Sequence, residues 1–192
     1  MKRLVNFFLL GMMMLLVGCN NQPKAPTNMP EFMKELTHFV GDKTAVTEFM
    51  QKNGFELVKD DGKYNLEFQN KDYFVDAYLR ADSEDEHLYV GEGLAKKRDV
   101  TNASATLVQM LNEARQFGNM YQGYYDNQAV KNIDKLIGLI QGKSDEELKF
   151  FSAQFDYHYE YCELIIGFDP DENELVIIAD NNEYLQGVQL PD

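Results

Sequence analysis

The sequence predicts an α+β fold in which amphipathic helices pack on an antiparallel sheet. Apolar residues recur at helical spacing from Pro30 to Gly54, and from Phe55 onward they alternate every second residue, which is typical of half-buried strands. The second half follows the same order, with helical stripes before residue 142 and alternation from Phe155 onward. A helix followed by an antiparallel meander forms a unit whose sheet is covered by helix on one face. We therefore expect a helix, a β-meander, two further helices and a C-terminal β-hairpin.

Two helices are expected before the meander. Pro30 suits the first turn of a helix, and Gly41 ends the apolar stripe of the first one. That stripe consists of Phe32, Met33, Leu36, Phe39 and Val40. The second helix should run from Thr44 to Gly54, with Val46, Phe49 and Met50 on one side.

The meander is expected to contain four short strands. They are placed at residues 55–58, 64–68, 73–79 and 87–90. The segments 60–62 and 70–72 have turn composition, and the acidic segment 82–86 connects the last two strands. Residues 96–99 form a polar break after the meander.

The second half should contain two helices and a hairpin. One helical stripe runs from Leu107 to Phe117, and a second runs from Ala129 to Ile140. Residues 119–127 between them are interpreted as a tyrosine-rich loop. Ser144 and Glu147 fit a capping box. Residues 155–168 and 175–179 are interpreted as the hairpin.

The N-terminal segment has the layout of an export signal. Met1-Lys2-Arg3 is basic, Leu4 to Val17 is almost wholly apolar, and Cys19 follows Gly18. The apolar run is shorter than the ~20 residues that span a bilayer. Leu16-Val17-Gly18-Cys19 resembles the lipobox of bacterial lipoprotein precursors. An ordinary export signal with a chance cysteine is the alternative.

The resemblance implies cleavage before Cys19 and acylation of its thiol, which would attach the protein to a membrane of the bacterial cell envelope. Two or three acyl chains hold a protein stably, because each buried CH₂ contributes about 0.8 kcal/mol. Asn20 follows the cysteine directly, and in this respect the chain resembles lipoproteins that are forwarded to the outer membrane of Gram-negative bacteria. We expect a signal peptide over 1–18, a flexible tether over 19–29 and a single globular domain over 30–192. Two subdomains that meet near residues 92–102 are the alternative.

The charge of the chain restricts its partners. Removal of residues 1–18 takes Lys2 and Arg3 from the 18 basic residues and none of the 32 acidic ones, so the mature chain has a formal charge of −16. This argues against nucleic acid, whose phosphates require clustered Lys and Arg. It also argues against electrostatic attachment to anionic lipid. A basic envelope protein, divalent cations or simple solubility are each compatible with it.

Two segments are candidate binding sites. In the expected loop after residue 118, tyrosines lie among Gly and Asn, a composition found in adaptable contact surfaces. These tyrosines are Tyr121, Tyr124 and Tyr125. The densest acidic run consists of Asp82, Glu84, Asp85 and Glu86. It could bind a cation or a basic partner, although charge runs usually lie on solvated loops.

An aromatic strand is open to two interpretations. Phe155, Tyr157, Tyr159 and Tyr161 alternate with polar residues. This aromatic face either packs under the helices or is exposed as a recognition platform.

Metal and catalytic patterns are incomplete. Asp169 to Asn173, with Asp180 in the twelfth position, resembles a calcium loop, but Glu174 replaces the required glycine and a turn between strands explains the segment. The three histidines share no metal-ligand spacing, and no nucleophile motif is present. Cys162 lies in an apolar strand pattern, which favours a buried thiol. We predict no catalytic residue, metal or cofactor.

Acidic charge and candidate contact surfaces favour a non-catalytic, lipid-anchored domain that binds another envelope protein. An immunity or inhibitor protein that masks a basic toxin is one concrete form. A small-ligand or cation-binding lipoprotein is the alternative, and an unrecognised hydrolase is the third.

Overall fold

The computed structural model describes residues 24–37, 39, 42–81, 88–149, 151–157 and 162–181. The helices in these residues are α1 (Met29–Thr37), α2 (Lys43–Lys52), α3 (Ala103–Ala114) and α4 (Ile133–Ile140), with one 3₁₀ turn at Glu146–Leu148. The strands are β1 (Glu56–Asp60), β2 (Asn65–Gln69), β3 (Phe74–Ala81), β4 (Leu88–Lys97), β5 (Asn119–Tyr125), β6 (Gln128–Val130), β7 (Ser152–Tyr157), β8 (Cys162–Asp169) and β9 (Glu174–Asn181).

All of these strands form one antiparallel sheet of nine strands in the order β1-β2-β3-β4-β9-β8-β7-β5-β6. The pairing of β4 with β9 joins the first half of the chain to the second half. The segment considered as a subdomain break, residues 92–102, forms the end of β4 and its connection to α3.

The helices cover one face of the sheet, as α+β proteins with an antiparallel sheet commonly do. Helix α1 packs on the central strands β4, β8 and β9, α2 packs on β1, α3 on β8, and α4 on β5 and β6. Along β9, Leu175, Ile177 and Ala179 are fully buried, whereas Val176 and Ile178 are only half-buried. The predicted α+β class, with amphipathic helices on an antiparallel sheet, is therefore confirmed.

Each of the described α-helices begins at a polar capping residue, and for α1 this residue is Asn28, whose side chain accepts a hydrogen bond from the Glu31 N–H. The side-chain oxygens of Asp42, Asn102 and Asn132 each accept a hydrogen bond from the backbone N–H three residues later. Such caps satisfy one of the free N–H groups of the first turn. In α1 and α2 the predicted apolar stripe then packs inward, and Phe32 stacks on Phe49 at 5.7 Å between ring centroids.

Strand β4 is longer than the sequence pattern predicts. The expected strand ended at Val90 and the expected polar break began at Lys96, but β4 continues to Lys97. Gly91 and Gly93 interrupt the alternation of apolar and polar residues in the sequence of this strand. At both positions, side-chain atoms of neighbouring residues occupy the space that a Cβ would need. A Cβ at Gly93 would lie 2.9 Å from the Met33 Cε, and one at Gly91 would lie 2.7 Å from the Arg80 Cδ.

The predicted tyrosine-rich loop over residues 119–127 is wrong. Residues 119–125 form β5, and Asp126 and Asn127 turn the chain into β6 with positive φ angles of 50° and 59°. Two consecutive positive φ angles are typical of the two-residue turns that close β-hairpins. A β-bulge between Met120 and Gln122 breaks the alternation of β5. Because Ala129 and Val130 belong to β6, the following helix begins only at Ile133.

The segment 155–168 is not one strand, because β7 ends at Tyr157 and β8 begins at Cys162. Phe155 is fully buried, so packing under the helices is correct for this residue. The side chains of Tyr157, Tyr159 and Tyr161 lie outside the described residues.

The predicted Glu147 contact is present, since its carboxylate accepts a hydrogen bond from the Ser144 N–H at 3.0 Å.

The described helices are all too short or too polar to cross a bilayer.

Candidate functional site

The sheet face opposite the helices is the candidate functional site, and we call it the open face. Its residues on β2, β3, β4, β8 and β9 alternate with the buried core residues and are nearly all half-buried or exposed. On a sheet with one covered face, such a surface is usually polar. Here it combines apolar and acidic rows, which suits protein contact better than solvent alone.

An apolar band crosses the centre of the open face. Leu94 lies opposite Ile178 in the β4–β9 register, and Ile178 lies opposite Ile165 in the β9–β8 register. Directly opposed side chains have Cβ atoms ~5 Å apart. The three residues therefore form a continuous half-buried strip over three central strands.

A carboxylate row lies beside this band, two residues along each strand. Glu92 is opposite Asp180, and Asp180 is opposite Glu163. Like charges directly opposite each other destabilise a sheet. The Asp180 Oδ1 atom is buried and has no hydrogen-bond partner in the described part of the chain. Glu163 accepts a hydrogen bond from the Gln154 amide at 3.2 Å. The row thus places three carboxylates opposite one another on central strands.

Strand β3 adds an acidic and aromatic patch beside the row. Asp76 lies opposite Glu67, and Tyr78 lies opposite Glu92. Burial, together with the charge of Glu67, raises the pKa of Asp76 above its ordinary value of 3.8. Burial and the neighbouring charges of Asp76, Glu92 and Glu67 likewise raise the pKa of Tyr78. Asp76 and Tyr78 are therefore both partly desolvated and close enough to neighbouring carboxylates to be influenced by their charge.

The cations of the open face mostly bind other carboxylates. Lys59 pairs with Glu67 at the β1–β2 edge. Lys96 and Arg98 both contact Glu174, at 3.3 Å and 2.7 Å. Arg98 also lies over the Phe74 ring, 4.6 Å from its centroid. These three ion pairs all lie away from the carboxylate row.

Glu174 itself is buried. Burial opposes its ionisation, but the hydrogen bonds and charges of Arg98 and Lys96 outweigh this and hold the pKa of the carboxyl below its ordinary value of 4.5. This ion-paired cluster lies at the start of β9, and Asp180 of the carboxylate row lies near the other end of the same strand.

The tyrosines predicted as a binding site lie on β5, near the other edge of the sheet. Tyr121 is the bulged residue and is 62% exposed, and Tyr124 is 43% exposed on the open face. Tyr125 is half-buried, and its hydroxyl interacts with the Lys143 ammonium. Strands β7 and β8 separate these tyrosines from β9, so they do not join the carboxylate row.

Several predicted site residues lie outside the described residues. These are Cys19, Asp82, Glu84, Asp85 and Glu86. The predicted calcium-like segment forms a turn, in which the Asp169 Oδ1 accepts hydrogen bonds from the backbone of Asp171 and Glu172, followed by β9. Asp180 lies at the far end of that strand. Within the described ranges, no group of three potential ligands is arranged to hold a metal ion.

Sequence reasoning missed the carboxylate row because its members come from three strands. Each strand does show the signal, since Glu92 precedes Leu94, Glu163 precedes Ile165, and Asp180 follows Ile178 with one residue between. Only the pairing of β4 with β9 brings these positions together.

A groove lies beside β1, and we call it the β1 groove. Its volume is about 790 Å³, within the range of small-ligand sites. It is formed by the end of α2, the start of β1, the β2–β3 turn and Ala25.

Comparison with protein-family models, with curated proteins and with solved structures found no match. The class of protein is therefore defined by its fold and site alone: an α+β protein in which, among the described residues, the sheet face opposite the helices carries rows of apolar and acidic side chains.

Proposed function

We propose that this protein is a bacterial envelope lipoprotein, attached to a membrane through Cys19, and that its open face binds a basic partner protein. The observation that carries the proposal is the carboxylate row of Glu92, Asp180 and Glu163 beside the apolar band. A segment with an apolar centre and flanking Lys or Arg side chains would complement both features.

The energetics of the open face support a binding role. Like charges opposite each other on neighbouring strands destabilise a sheet, and cations from a partner would offset such repulsion between Glu92 and Asp180 on binding. Apolar area contributes about 25 cal/mol per Å² when a partner covers it. Charged partners also associate faster, because opposite potentials steer their encounter.

The lipobox residues Leu16-Val17-Gly18-Cys19 support the proposed location. Acylation would keep the domain beside a membrane of the cell envelope, the outer membrane if the host is Gram-negative. A partner would then be another protein of the envelope or one that enters it, and masking a basic toxin is one such role.

Co-purification from native membranes tests the proposal. The test protein carries Glu92→Gln with Asp180→Asn, which removes two charges of the row and keeps side-chain size. The control carries Asp145→Asn with Glu172→Gln, which removes the same charge from exposed positions outside the strands. We expect a basic protein to co-purify with wild type and control and to be lost from the test protein.

Ionic strength supplies the second readout. Charges are screened over ~8 Å at physiological salt and over shorter distances above it. The association rate of the identified partner should fall steeply with salt for wild type. Equal retention by all three proteins, or a rate indifferent to salt, would contradict the proposal.

A further inference from the structure

The β1 groove lies close to the proposed site of lipid attachment. Ala25 lines the groove, and Cys19 precedes it by six residues. Six residues of fully extended chain reach at most about 20 Å. This step rests on the proposed acylation, which would hold the groove within that distance of the membrane surface.

The chain between Ala25 and α1 gives the domain little freedom to move away. Ala25, Pro26 and Asn28 are half-buried against the domain, and Met29 is buried. The Asn28 side chain accepts a hydrogen bond from the Glu31 N–H at 3.1 Å. The predicted tether therefore meets the domain at Ala25, several residues before its expected end.

We propose that the β1 groove faces the membrane and binds the headgroup of a zwitterionic phospholipid. The phosphate would pair with Lys71, and the ammonium group would pair with Glu56 and Asp72. Leu57, which is 38% exposed at the rim, would contact the apolar part of the lipid.

The charges of the groove fit this ligand class. Lys71, Asp72 and Glu56 are exposed, and among the described residues none of them forms an ion pair. The groove also includes Gln51 and Gly54 at the end of α2, where the helix dipole favours cations over anions. An anionic headgroup would meet this negative end and the net negative charge of the chain, so it fits less well than a headgroup of both signs.

Photo-crosslinking tests the orientation of the groove. A photo-reactive amino acid is placed at position 57, which lines the groove, or at position 127, which lies at the far edge of the sheet, seven to eight strand spacings or about 35 Å away. The acylated protein is then irradiated in its own membrane. We expect phospholipid adducts at position 57 and none at position 127.

Two results would overturn the orientation. One is equal lipid labelling at both positions. The other is labelling at position 57 only by the N-terminal segment of the chain itself, because that segment would then be the occupant of the groove.

A headgroup titration tests the chemistry without the membrane. Glycerophosphoethanolamine or glycerophosphoglycerol is added to the mature chain with Cys19→Ser, and amide chemical shifts are followed by NMR up to millimolar concentrations. We expect saturable shifts at Leu57, Lys71 and Asp72 with glycerophosphoethanolamine only. Lys71→Glu should abolish them, whereas Lys63→Glu, an equal change on the exposed β1–β2 turn, should not.

The two proposals fail separately. An N-terminal mass without lipid would remove the proposed attachment and with it the orientation, yet the headgroup titration would still report on the groove. Shifts with both headgroups, or with neither, would overturn the zwitterionic site whether or not Cys19 is acylated.

Discussion

Two buried polar side chains, those of Glu174 and Ser104, connect different elements of this fold. Glu174 is buried and bound by Arg98 and Lys96. Ser104 is also buried, and its hydroxyl donates to the Ile140 carbonyl and accepts from the Gly142 N–H, both at 2.8 Å. Each of these side chains satisfies groups on a different element, so its removal leaves more than one partner without a hydrogen bond.

The Glu174 ion pair predicts a dependence of stability on pH. Because the pKa of Glu174 is lowered in the folded state, its contribution is present above the ordinary value of 4.5 and is lost as pH falls through the folded value. Glu174→Gln should lower the free energy of unfolding by about 1–3 kcal/mol at neutral pH. The difference from wild type should shrink well below pH 4.5.

Urea denaturation of both proteins at the two pH values measures this. Glu172→Gln, on the neighbouring exposed turn, is the matched control and should have little effect at either pH. A loss of stability that is the same at both pH values would show that the charge of Glu174 is not responsible.

Ser104 predicts a second loss of stability. Ser104→Ala removes the hydroxyl that links the start of α3 to the end of α4, and it leaves two backbone groups without this hydrogen-bond partner. We expect a cost of about 1–3 kcal/mol in the free energy of unfolding. Thr101→Ala also removes a hydroxyl, but at an exposed position two residues before α3, so it should change the free energy little when both variants are measured by urea denaturation. Equal effects would argue against the buried contact.

At the scale of elements, the β5–β6 hairpin depends on its turn. Asp126 and Asn127 both have positive φ, a conformation that Asp and Asn tolerate and β-branched residues do not. Strand β6 has only three residues, so it has little other pairing to hold it in place.

The turn supplies the third prediction. Asn127→Val should destabilise the protein by about 1–2 kcal/mol, because a β-branched residue is strained at positive φ. Gln128→Val, on the exposed and extended neighbour, should be neutral or slightly stabilising. Thermal unfolding compares the two variants, and a loss with Gln128→Val alone would contradict the turn.

Elements with an uninterrupted pattern were predictable from the sequence, and elements that depend on distant partners were not. Helices α1 and α2 and strands β1 to β3 lie close to their predicted positions because their apolar periods are regular. The predicted strand ended too early in β4, because Gly91 and Gly93 interrupt its apolar pattern. The side chains that pack against these glycines, Arg80 and Met33, belong to other elements. The bulge at Tyr121 breaks the alternation of side chains along β5, so the sequence pattern did not indicate a strand there. The carboxylate row could not be predicted, because it requires the β4–β9 pairing.

At the scale of the whole molecule, some acidic residues of the sheet form ion pairs, and others lie opposite another carboxylate. Glu67 and Glu174 pair with cations, whereas Glu92 and Asp180 face each other across two central strands. The protein therefore retains repulsion at a position where apolar or mixed-charge pairs would be more stable.

This arrangement gives the fourth prediction, in which stability and binding change in opposite directions. Glu92→Gln with Asp180→Asn should raise the free energy of unfolding by about 0.2–1 kcal/mol, because a like-charged cross-strand pair is removed. The same variant should lose its basic partner. Thermal unfolding and co-purification of one preparation measure both effects. If stability fell instead, the row would have a structural role.

The position of β9 also has a consequence for the order of folding. It is the last strand in the described sequence, yet it lies in the middle of the sheet, between β4 and β8. Pairing between such distant segments is slow, since a long loop must close first. While a nascent chain emerges, β4 and β8 each keep an unpaired edge of the kind that promotes aggregation. A chain interrupted before residue 174 would lack the strand that joins β4 to β8, so it would expose an unpaired edge on each of them.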